Sequence, residues 1–401
     1  MGDAAGSDAL VRQALPVLLE FPDDSRLQSR QHDVRGWLAR IRGDLSDAQT
    51  HLLASLDSAI AAYGHKDNRV ADAMRGLAEV AAESRDYSLA RRYIEEARST
   101  ALVSPNATAT DLVGIEIERA RFEFDAGHLA TAEPLMAAAI THCDSALGER
   151  NEDCFFARAI QARLWMQMGD FRRAQELLPA FAREANNDLS PRRRAEALII
   201  ASRVLAANEF AGDHDNLQGR LSEIIGPAVG EKLADGIVKS ARLALAEVAL
   251  RERRTADVDA SLADLLTVSG SMSNESRAYF ARALMLHGLA LQVDDNHPGA
   301  LIALRSAEEN YAHSFGASHT EVLLCRLNQV PSLVATGAGS VATQLVDEAL
   351  PALRATLPSN SPILTRVEKI RRALHLPMPG KSSTVGRAVF FKSGDIDEQD
   401  R

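Results

Sequence analysis

Acid–base and nucleophilic side chains are spread along this chain of 401 residues without a recognisable catalytic motif. The eleven histidines form no H-E-x-x-H or H-x-H pattern, the three cysteines form no C-x-x-C pair, and phosphate-loop and G-x-S-x-G motifs are absent. His142 and Cys143 are adjacent in sequence, but adjacent residues point to different faces of a helix and cannot form a dyad. Asp213-His214-Asp215 fits a polar turn better than a local metal site. We therefore expect no catalytic residue, no metal ligand and no cofactor.

The elements that would position any binding residues repeat every 42 residues. Gly64, Gly148 and Gly316 each follow an apolar helix end, and their separations are two and four periods. A second position in the same frame carries a small residue: Ala48, Ala90, Ala132, Ala174, Ala300 and Ala342. A fixed period of this length indicates a stacked array of one supersecondary unit rather than a single globular core.

Each repeat predicts a helix A, a short turn, a helix B and a longer loop. The repeats begin near residues 22, 64, 106, 148, 190, 232, 274, 316 and 358. Glycines recur in the turn at Gly43, Gly127, Gly169 and Gly337, with Arg85 in the second repeat. Long alternating β-branched runs are absent, so the pattern predicts an all-α protein. Three prolines fall in B helices; we expect Pro134 to be tolerated near a helix start, and Pro179 and Pro351 to bend or end their helices.

Two repeats depart from the pattern. In 190–231 the small residue is replaced by Asn216, and in 232–273 it is replaced by Val258. These two repeats are either a softer joint in the array or repeats whose sequence has diverged although their helices still stack. The predicted divisions are a lead-in helix at 1–21, regular repeats at 22–189, divergent repeats at 190–273, regular repeats at 274–376 and a disordered tail at 377–401.

Composition limits the partners. The formal net charge of −10 argues against direct binding of nucleic acid, which needs a concentrated positive face. No segment approaches the roughly 18 apolar residues that a membrane helix requires. Three sparse cysteines are typical of small buried thiols in a reducing compartment. We therefore expect a cytoplasmic protein with a protein or peptide partner and no membrane contact. The oligomeric state stays open, a homodimer included.

The inter-helix turns carry a family resemblance. Gly-Asp-Phe-Arg-Arg-Ala at 169–174 and Gly-His-Leu-Ala-Thr-Ala at 127–132 resemble the tetratricopeptide turn. The 42-residue spacing, with the loops at 64–67 and 316–319, is similar to the kinesin light chain variety of this repeat. The resemblance implies a right-handed α-solenoid of about eight repeats. Its concave groove would be lined by A helices and would bind peptide segments.

The resemblance also implies which A-helix positions face the groove. One such row is Trp37, Glu79, Arg121, Arg163, Leu205, Glu247 and Leu289. The candidate peptide-binding residues are Arg75, Glu79, Arg121, Arg163, Asn208, Glu247, Arg282 and Asn328. Arg121 and Arg163 lie one repeat apart and could each form bidentate hydrogen bonds with carboxylates or phosphates of a ligand. In the alternative interpretation, arginines and glutamates on neighbouring helices simply pair with each other. Asn328 resembles the helix A asparagine that contacts peptide backbone in related proteins.

Three functions fit these features. The first is a non-catalytic scaffold that binds a protein segment in the groove. The second is a ligand- or peptide-sensing regulatory module of a bacterial signalling protein, such as a transcription regulator or kinase. The third is an enzyme with an unrecognised helical active site. A scaffold predicts an unobstructed polar groove, a sensor predicts a closed pocket or compact ring, and an enzyme predicts convergent groups with perturbed pKa values.

Overall fold

The computed structural model describes residues 24–185, 191–207, 214–226, 235–267 and 272–375. The predicted lead-in helix at 1–21, the candidate residue Asn208 and the predicted tail at 377–401 lie outside these residues. Within the described ranges every regular element is an α-helix and none is a strand. None of these helices is both long and apolar enough to cross a membrane.

The described helices pack as consecutive pairs, which is compatible with a helical repeat solenoid. In chain order they are α1 Ser25–Ile41, α2 Leu45–Tyr63, α3 Asn68–Glu83, α4 Tyr87–Val103, α5 Ala109–Asp125, α6 Leu129–Leu147, α7 Glu152–Gln167, α8 Phe171–Glu176, α9 Leu178–Ala185, α10 Pro191–Ala207, α11 His214–Ile225, α12 Asp235–Arg251, α13 Thr255–Leu266, α14 Asn274–Val293, α15 His297–Phe315, α16 Thr320–Leu327, α17 Val330–Ala335, α18 Gly339–Thr356 and α19 Pro362–His375. Helices α1, α3, α5, α7, α10, α12, α14, α16 and α19 occupy the helix A position of their repeats.

A single left-handed residue ends the A helices. Positive φ values between 58° and 81° occur at Gly43, Arg85, Gly127, Gly169, Arg253, Asp295 and Gly337, all in one frame of the 42-residue period. At six of these turns the next residue donates its N–H to the carbonyl five residues back, at 2.8–3.0 Å. This bond satisfies a carbonyl that the helix end would otherwise leave unpaired. In four turns that next residue is Asp or Asn, and its side chain caps the following B helix.

The small residue of the period packs beneath this turn. Ala48, Ala90, Ala132, Ala174, Ala300 and Ala342 are fully buried. Val258 occupies the same position and is also fully buried, and Arg253 supplies the left-handed residue of its repeat. The helix pair α12–α13 therefore has the same turn as the regular repeats, although its sequence departs from the pattern.

The three prolines of the B helices differ in their effect on helix continuity. The helix is interrupted at Leu177, between α8 and α9, so the prediction that Pro179 bends or ends its helix is confirmed. Helix α6 continues through Pro134, as expected. Pro351 is expected from the sequence to bend or end its helix. Helix α18 continues through Pro351, so the expectation that the helix ends there is wrong. The next turn stays helical because Leu353 is fully buried and holds it against the core.

The chain divides into two compact units. Unit 1 comprises residues 1–126 and 131–157, and unit 2 comprises residues 127–130 and 158–401. The core of unit 1 contains Ala78, Ile94 and Ala97, and that of unit 2 contains Leu262 and Leu289. The predicted joint at 190–273 lies inside unit 2.

Two of the three cysteines are not free thiols. A disulfide joins Cys143, near the end of α6, to Cys154, near the start of α7, and only Cys325 is a buried free thiol among the described residues. The expectation of buried thiols is therefore wrong for this pair, because the short loop between the helices brings the two Cα atoms to 5.6 Å. A disulfide persists most readily in an oxidising compartment, so cytoplasmic location stays a prediction.

Unit 2 contains contacts between residues 193 positions apart. The Ser361 hydroxyl donates to the Met168 carbonyl at 2.8 Å, and the Thr320 hydroxyl donates to the Gly127 carbonyl at 3.0 Å. Both acceptors lie at inter-helix turns, and both donors lie at the start of later A helices. At Gly169 a Cβ atom would lie 2.8 Å from Ile363 Cγ1. These two contacts of unit 2 thus recur in the same register of the 42-residue period.

Gly169→Ala should therefore destabilise the protein more than Gly337→Ala. Both glycines have φ near +80°, but no atom lies within 4 Å of a Cβ built at Gly337. The strain of a left-handed alanine, about 1 kcal/mol, is common to both variants. The extra loss at Gly169 should be about 1–3 kcal/mol from overpacking against Ile363. Urea unfolding measures both, and equal losses would contradict the contact.

Candidate functional site

Three A helices of unit 1 carry a stripe, mostly of charged side chains, with helical spacings of three, four or seven residues. Such spacing places the members of a stripe on one side of a helix. The stripes are Arg30, Asp33, Trp37 and Arg40 on α1; Asp72, Arg75, Glu79 and Glu83 on α3; and Asp111, Glu118, Arg121 and Asp125 on α5. We call these twelve residues the A face of unit 1.

Ion pairs connect the three stripes. Arg40 of α1 pairs with Glu79 and, at 2.8 Å, with Glu83 of α3. Arg75 Nε of α3 lies 3.3 Å from Glu118 Oε1 of α5. The predicted binding residues Arg75 and Glu79 are thus brought together, and each pairs with a charge on a neighbouring helix. This agrees with the alternative interpretation, although Glu79 and Glu118 are mostly buried rather than on the open surface.

Glu118 is the most perturbed carboxyl group of this face. Burial raises its pKa to about 8; Arg75 opposes this rise, and the charge of Glu79 adds to it. Its Oε2 atom is buried, and the carboxyl group hydrogen-bonds to that of Glu79. Glu79 is the neighbour with which it can share a proton. Burial also raises the pKa of Glu79, but Arg40 and Arg121 more than offset this effect and hold that pKa below its usual value.

Arg121 is surrounded by the carboxyl groups of its own unit. Burial disfavours its charged form, but Asp125, Glu118 and Glu79 outweigh this and raise its pKa. Its Nε atom is buried and without a hydrogen-bond partner in the described part of the chain. Arg163 is exposed and belongs to unit 2. The joint action of the two arginines on a ligand stays a prediction, and the charge of Arg121 is already offset by carboxylates.

Sequence reasoning missed Glu118, Asp33 and Asp72 as members of this face. Burial raises the pKa of both aspartates. The repeat frame could not reveal Glu118, because Val34 and Gly76 occupy its equivalent positions. Its spacing of three residues from Arg121 along one helix was the available signal.

A second chain of charged groups crosses the A helices of unit 2. Arg203 Nε of α10 donates to Glu247 of α12 at 2.9 Å, and Arg282 of α14 donates to the same carboxylate at 2.8 Å. Arg282 also lies 3.7 Å from Glu321 of α16, which accepts a hydrogen bond from Gln167 of α7. We call these five residues the belt of unit 2.

Charges alternate along the belt, so each is balanced by a neighbour. Burial raises the pKa of Glu247, but Arg203 and Arg282 outweigh burial and keep it lowered. Burial disfavours the charged form of Arg282. The carboxylates of Glu247 and Glu321 favour that form more strongly, so the pKa of Arg282 is raised. The predicted peptide-binding residues Glu247 and Arg282 are therefore brought together and bind each other.

Asn328 lies at a break between α16 and α17. Pro331 cannot continue the regular hydrogen bonding of the helix, and the Asn328 carbonyl accepts a hydrogen bond from Gln292 Nε2 at 2.8 Å. The Asn328 side chain is buried, and its amide has no hydrogen-bond partner in the described ranges. Peptide contact by this residue stays a prediction.

No group of three or more His, Cys, Asp or Glu residues in the described part of the chain could hold a metal ion. His142 pairs with Glu116 at 2.8 Å, while Cys143 is in the disulfide. The side chains of Asp213-His214-Asp215 lie outside the described residues. No protein-family model matches this chain, and no curated protein matches it significantly.

Glu118→Gln should change how stability depends on pH. The pKa of a glutamate is 4.5 in the unfolded chain and about 8 for Glu118 in the fold, so the folded state binds the extra proton between these values. The free energy of unfolding must then fall as pH rises through this window. Glutamine does not titrate, so the free energy of unfolding of the variant should lack this decrease with pH. One pKa unit is worth about 1.4 kcal/mol, so the effect should be on the order of a few kcal/mol, reduced by proton sharing with Glu79.

Urea unfolding at pH values of about 5.5 and 8.5 measures this difference. Relative to the parent protein, Glu118→Gln should gain stability at the higher pH. Glu95→Gln is the matched control, because Glu95 pairs with Arg119 on another side of α5 and is 42% exposed. Identical pH profiles of Glu118→Gln and the parent would contradict the raised pKa.

Glu247→Gln should destabilise unit 2 strongly. It removes the charge that Arg203 and Arg282 share and leaves two largely buried guanidinium groups without it. Losing one member of a buried ion network costs about 3–5 kcal/mol. Glu252→Gln removes only an exposed pair with Arg254 and should cost at most about 1 kcal/mol. Chemical unfolding of both variants tests this, and similar losses would show that the belt is not buried.

Proposed function

We propose that this chain is a non-catalytic protein-interaction scaffold of the tetratricopeptide type. On this proposal its helix pairs form a right-handed superhelix of about eight repeats, and the A face of unit 1 binds an extended or helical segment of a partner protein. The helix pairs in a 42-residue period and the resemblance of the turns at 127–132 and 169–174 support it. The proposal includes no cofactor, no direct contact with nucleic acid or membrane, and a cytoplasmic location.

Trp37 is the observation that carries the proposal. Its side chain is 40% exposed on α1, at the frame position that Glu79 and Arg121 occupy on the next two A helices. Large aromatic side chains that stay exposed beside partly buried charges are typical of the anchors that dominate protein interfaces. The Nε atom of Arg121 on this face is also buried without a hydrogen-bond partner in the described chain.

The raised pKa of Glu118 is the feature that an enzyme would share. The groups that face it are Arg75, Glu79 and Arg121. Two guanidinium groups and a second carboxyl group surround it and form an ion-pair network with it. Recognition of charge accounts for this composition better than acid–base catalysis does.

A regulatory sensor is the second candidate, and unit 2 favours it. Its A helices are joined by the alternating charges of the belt, and residues 193 positions apart are in contact. This arrangement is closer to the compact ring expected of a sensor than to an open groove. A ligand that breaks the Arg282–Glu321 contact would then bias the pitch of the array and an effector attached to it, as in bacterial transcription regulators and kinases.

Selection from a library of random dodecapeptides displayed on phage tests the scaffold. The immobilised protein should enrich a peptide family, and fluorescence polarisation should show that Trp37→Ala weakens binding of the enriched peptide about tenfold or more. Leu53→Ala is the matched control, because Leu53 is also 40% exposed but lies on the B helix α2. Both variants should unfold at the parent's temperature. Absence of enrichment, or equal binding by Trp37→Ala, would refute a peptide site on this face.

A further inference from the structure

We propose that His32 of α1 and His51 of α2 form a binding site for a divalent transition-metal ion that prefers imidazole ligands. Nδ1 of each ring would bind the ion, and water would fill the remaining coordination positions. The inference goes beyond the proposed scaffold and does not depend on it. It also departs from the sequence-based expectation of no metal ligand, because the two histidines are 19 residues apart and only packing brings them together.

The two rings meet across the helix pair at a distance that suits a shared metal ion. Their Nδ1 atoms are 3.1 Å apart, and their ring centroids are 5.3 Å apart. Two metal–nitrogen bonds of about 2.0–2.1 Å, at a right angle or a tetrahedral angle, place the nitrogens roughly 2.9–3.4 Å apart. On one tetrahedral ion the centroids of two imidazole rings lie roughly 5 Å apart. Binding therefore requires both rings to turn towards a common point and no movement of the helices.

Packing on both sides of the pair fixes the register of α1 and α2. One turn away, the buried Ser55 hydroxyl donates to the Ser29 carbonyl at 3.0 Å. In the other direction along α1, a Cβ atom at Gly36 would lie 2.7 Å from Cγ of Leu52, the residue next to His51. The helix backbones are thus in close contact beside the two rings. Ligands carried by rigid, packed helices lose little freedom on binding, which favours a metal site.

A carboxylate lies behind one of the rings. Asp47 Oδ1 is 3.7 Å from Nε2 of His51, one turn away on α2. Histidines that bind metal ions commonly direct their second ring nitrogen to a carboxylate, which keeps the proton on that nitrogen and leaves the first free for the metal. Asp47 would orient His51 in this way and would also balance part of the charge of the ion.

The protonation of the pair is compatible with metal binding. Burial lowers the pKa of His32, and the charges of His51 and Arg35 lower it further, so the neutral ring that metals require is favoured. Without metal, one Nδ1 carries a proton and the other accepts it. Binding transfers that proton to Nε2 of the same ring, so both Nδ1 lone pairs become available and no net proton is released.

Calorimetric titration of the full chain with Zn²⁺, Cu²⁺ and Mg²⁺ provides the first test. Zn²⁺ and Cu²⁺ should bind, Cu²⁺ more tightly, and Mg²⁺ should not, because Mg²⁺ prefers oxygen ligands. His32→Asn and His51→Asn should each weaken Zn²⁺ binding at least about tenfold. His287→Asn is the matched control, because His287 also pairs with a carboxylate, Asp259, at 2.7 Å. This control should bind Zn²⁺ as the parent does.

Two charge variants separate a metal site from damage to the fold. Asp47→Asn should weaken Zn²⁺ binding about tenfold, because His51 loses its orienting carboxylate. Arg35→Gln should strengthen it about threefold, because a cation that repels the ion is removed. Damage to the fold would weaken binding in both variants. Urea unfolding without metal should show that each variant remains folded.

The electron paramagnetic resonance spectrum of bound Cu²⁺ provides the second test. It should show coupling to two imidazole nitrogens in the parent and to one in His51→Asn. Absence of Zn²⁺ binding by the parent, or equal binding by His51→Asn, would overturn the site and leave a hydrogen bond between the two rings. Weaker binding by Arg35→Gln, or a Cu²⁺ spectrum that His51→Asn leaves unchanged, would also overturn it.

Discussion

The left-handed residue at seven of the inter-helix turns is the constraint on which the rest of the structure depends. It lets the chain reverse while, in six of the seven turns, the following amide bonds back to the helix and satisfies a carbonyl that the helix end would otherwise leave unpaired. The next residue caps helix B in four of these turns, and a fully buried small residue brings the two helices close. Because this junction recurs every 42 residues, side chains in the same frame reach the same side of successive A helices.

Alignment of side chains also aligns their charges. A charge placed between packed helices must find a partner there, because water is largely excluded. In unit 2 arginine and glutamate alternate from α10 to α16, and the belt balances itself. In unit 1 carboxyl groups outnumber arginines on the A face, and Glu118 keeps a proton at neutral pH instead. The same repeat therefore produces alternating arginine and glutamate charges in unit 2 and an excess of carboxyl groups in unit 1.

This contrast bears on function. Groups that satisfy one another, as Glu247 and Arg282 do, contribute to stability and have little left for a ligand. The A face of unit 1 instead carries an exposed tryptophan and an excess of carboxyl groups, which are suited to recognition. The A face of unit 1 is thus the more suitable surface for a partner, and the contacts within unit 2 suit a rigid or regulated body.

The sequence by itself determined the helical class, the 42-residue period, the buried alanines and the glycine turns, because these follow from local propensity and from spacing along one chain. It did not reveal that Arg253 and Asp295 adopt the glycine conformation, since a rigid turn can impose left-handed geometry on other residues. The Cys143–Cys154 bond and the contacts between residues 193 positions apart depend on how packed helices return to each other. The tertiary structure alone decided which charges meet. A helix stripe shows the direction of a side chain, but the partner of Arg75, Glu118 or Arg282 lies on another helix, and only packing brings it within reach.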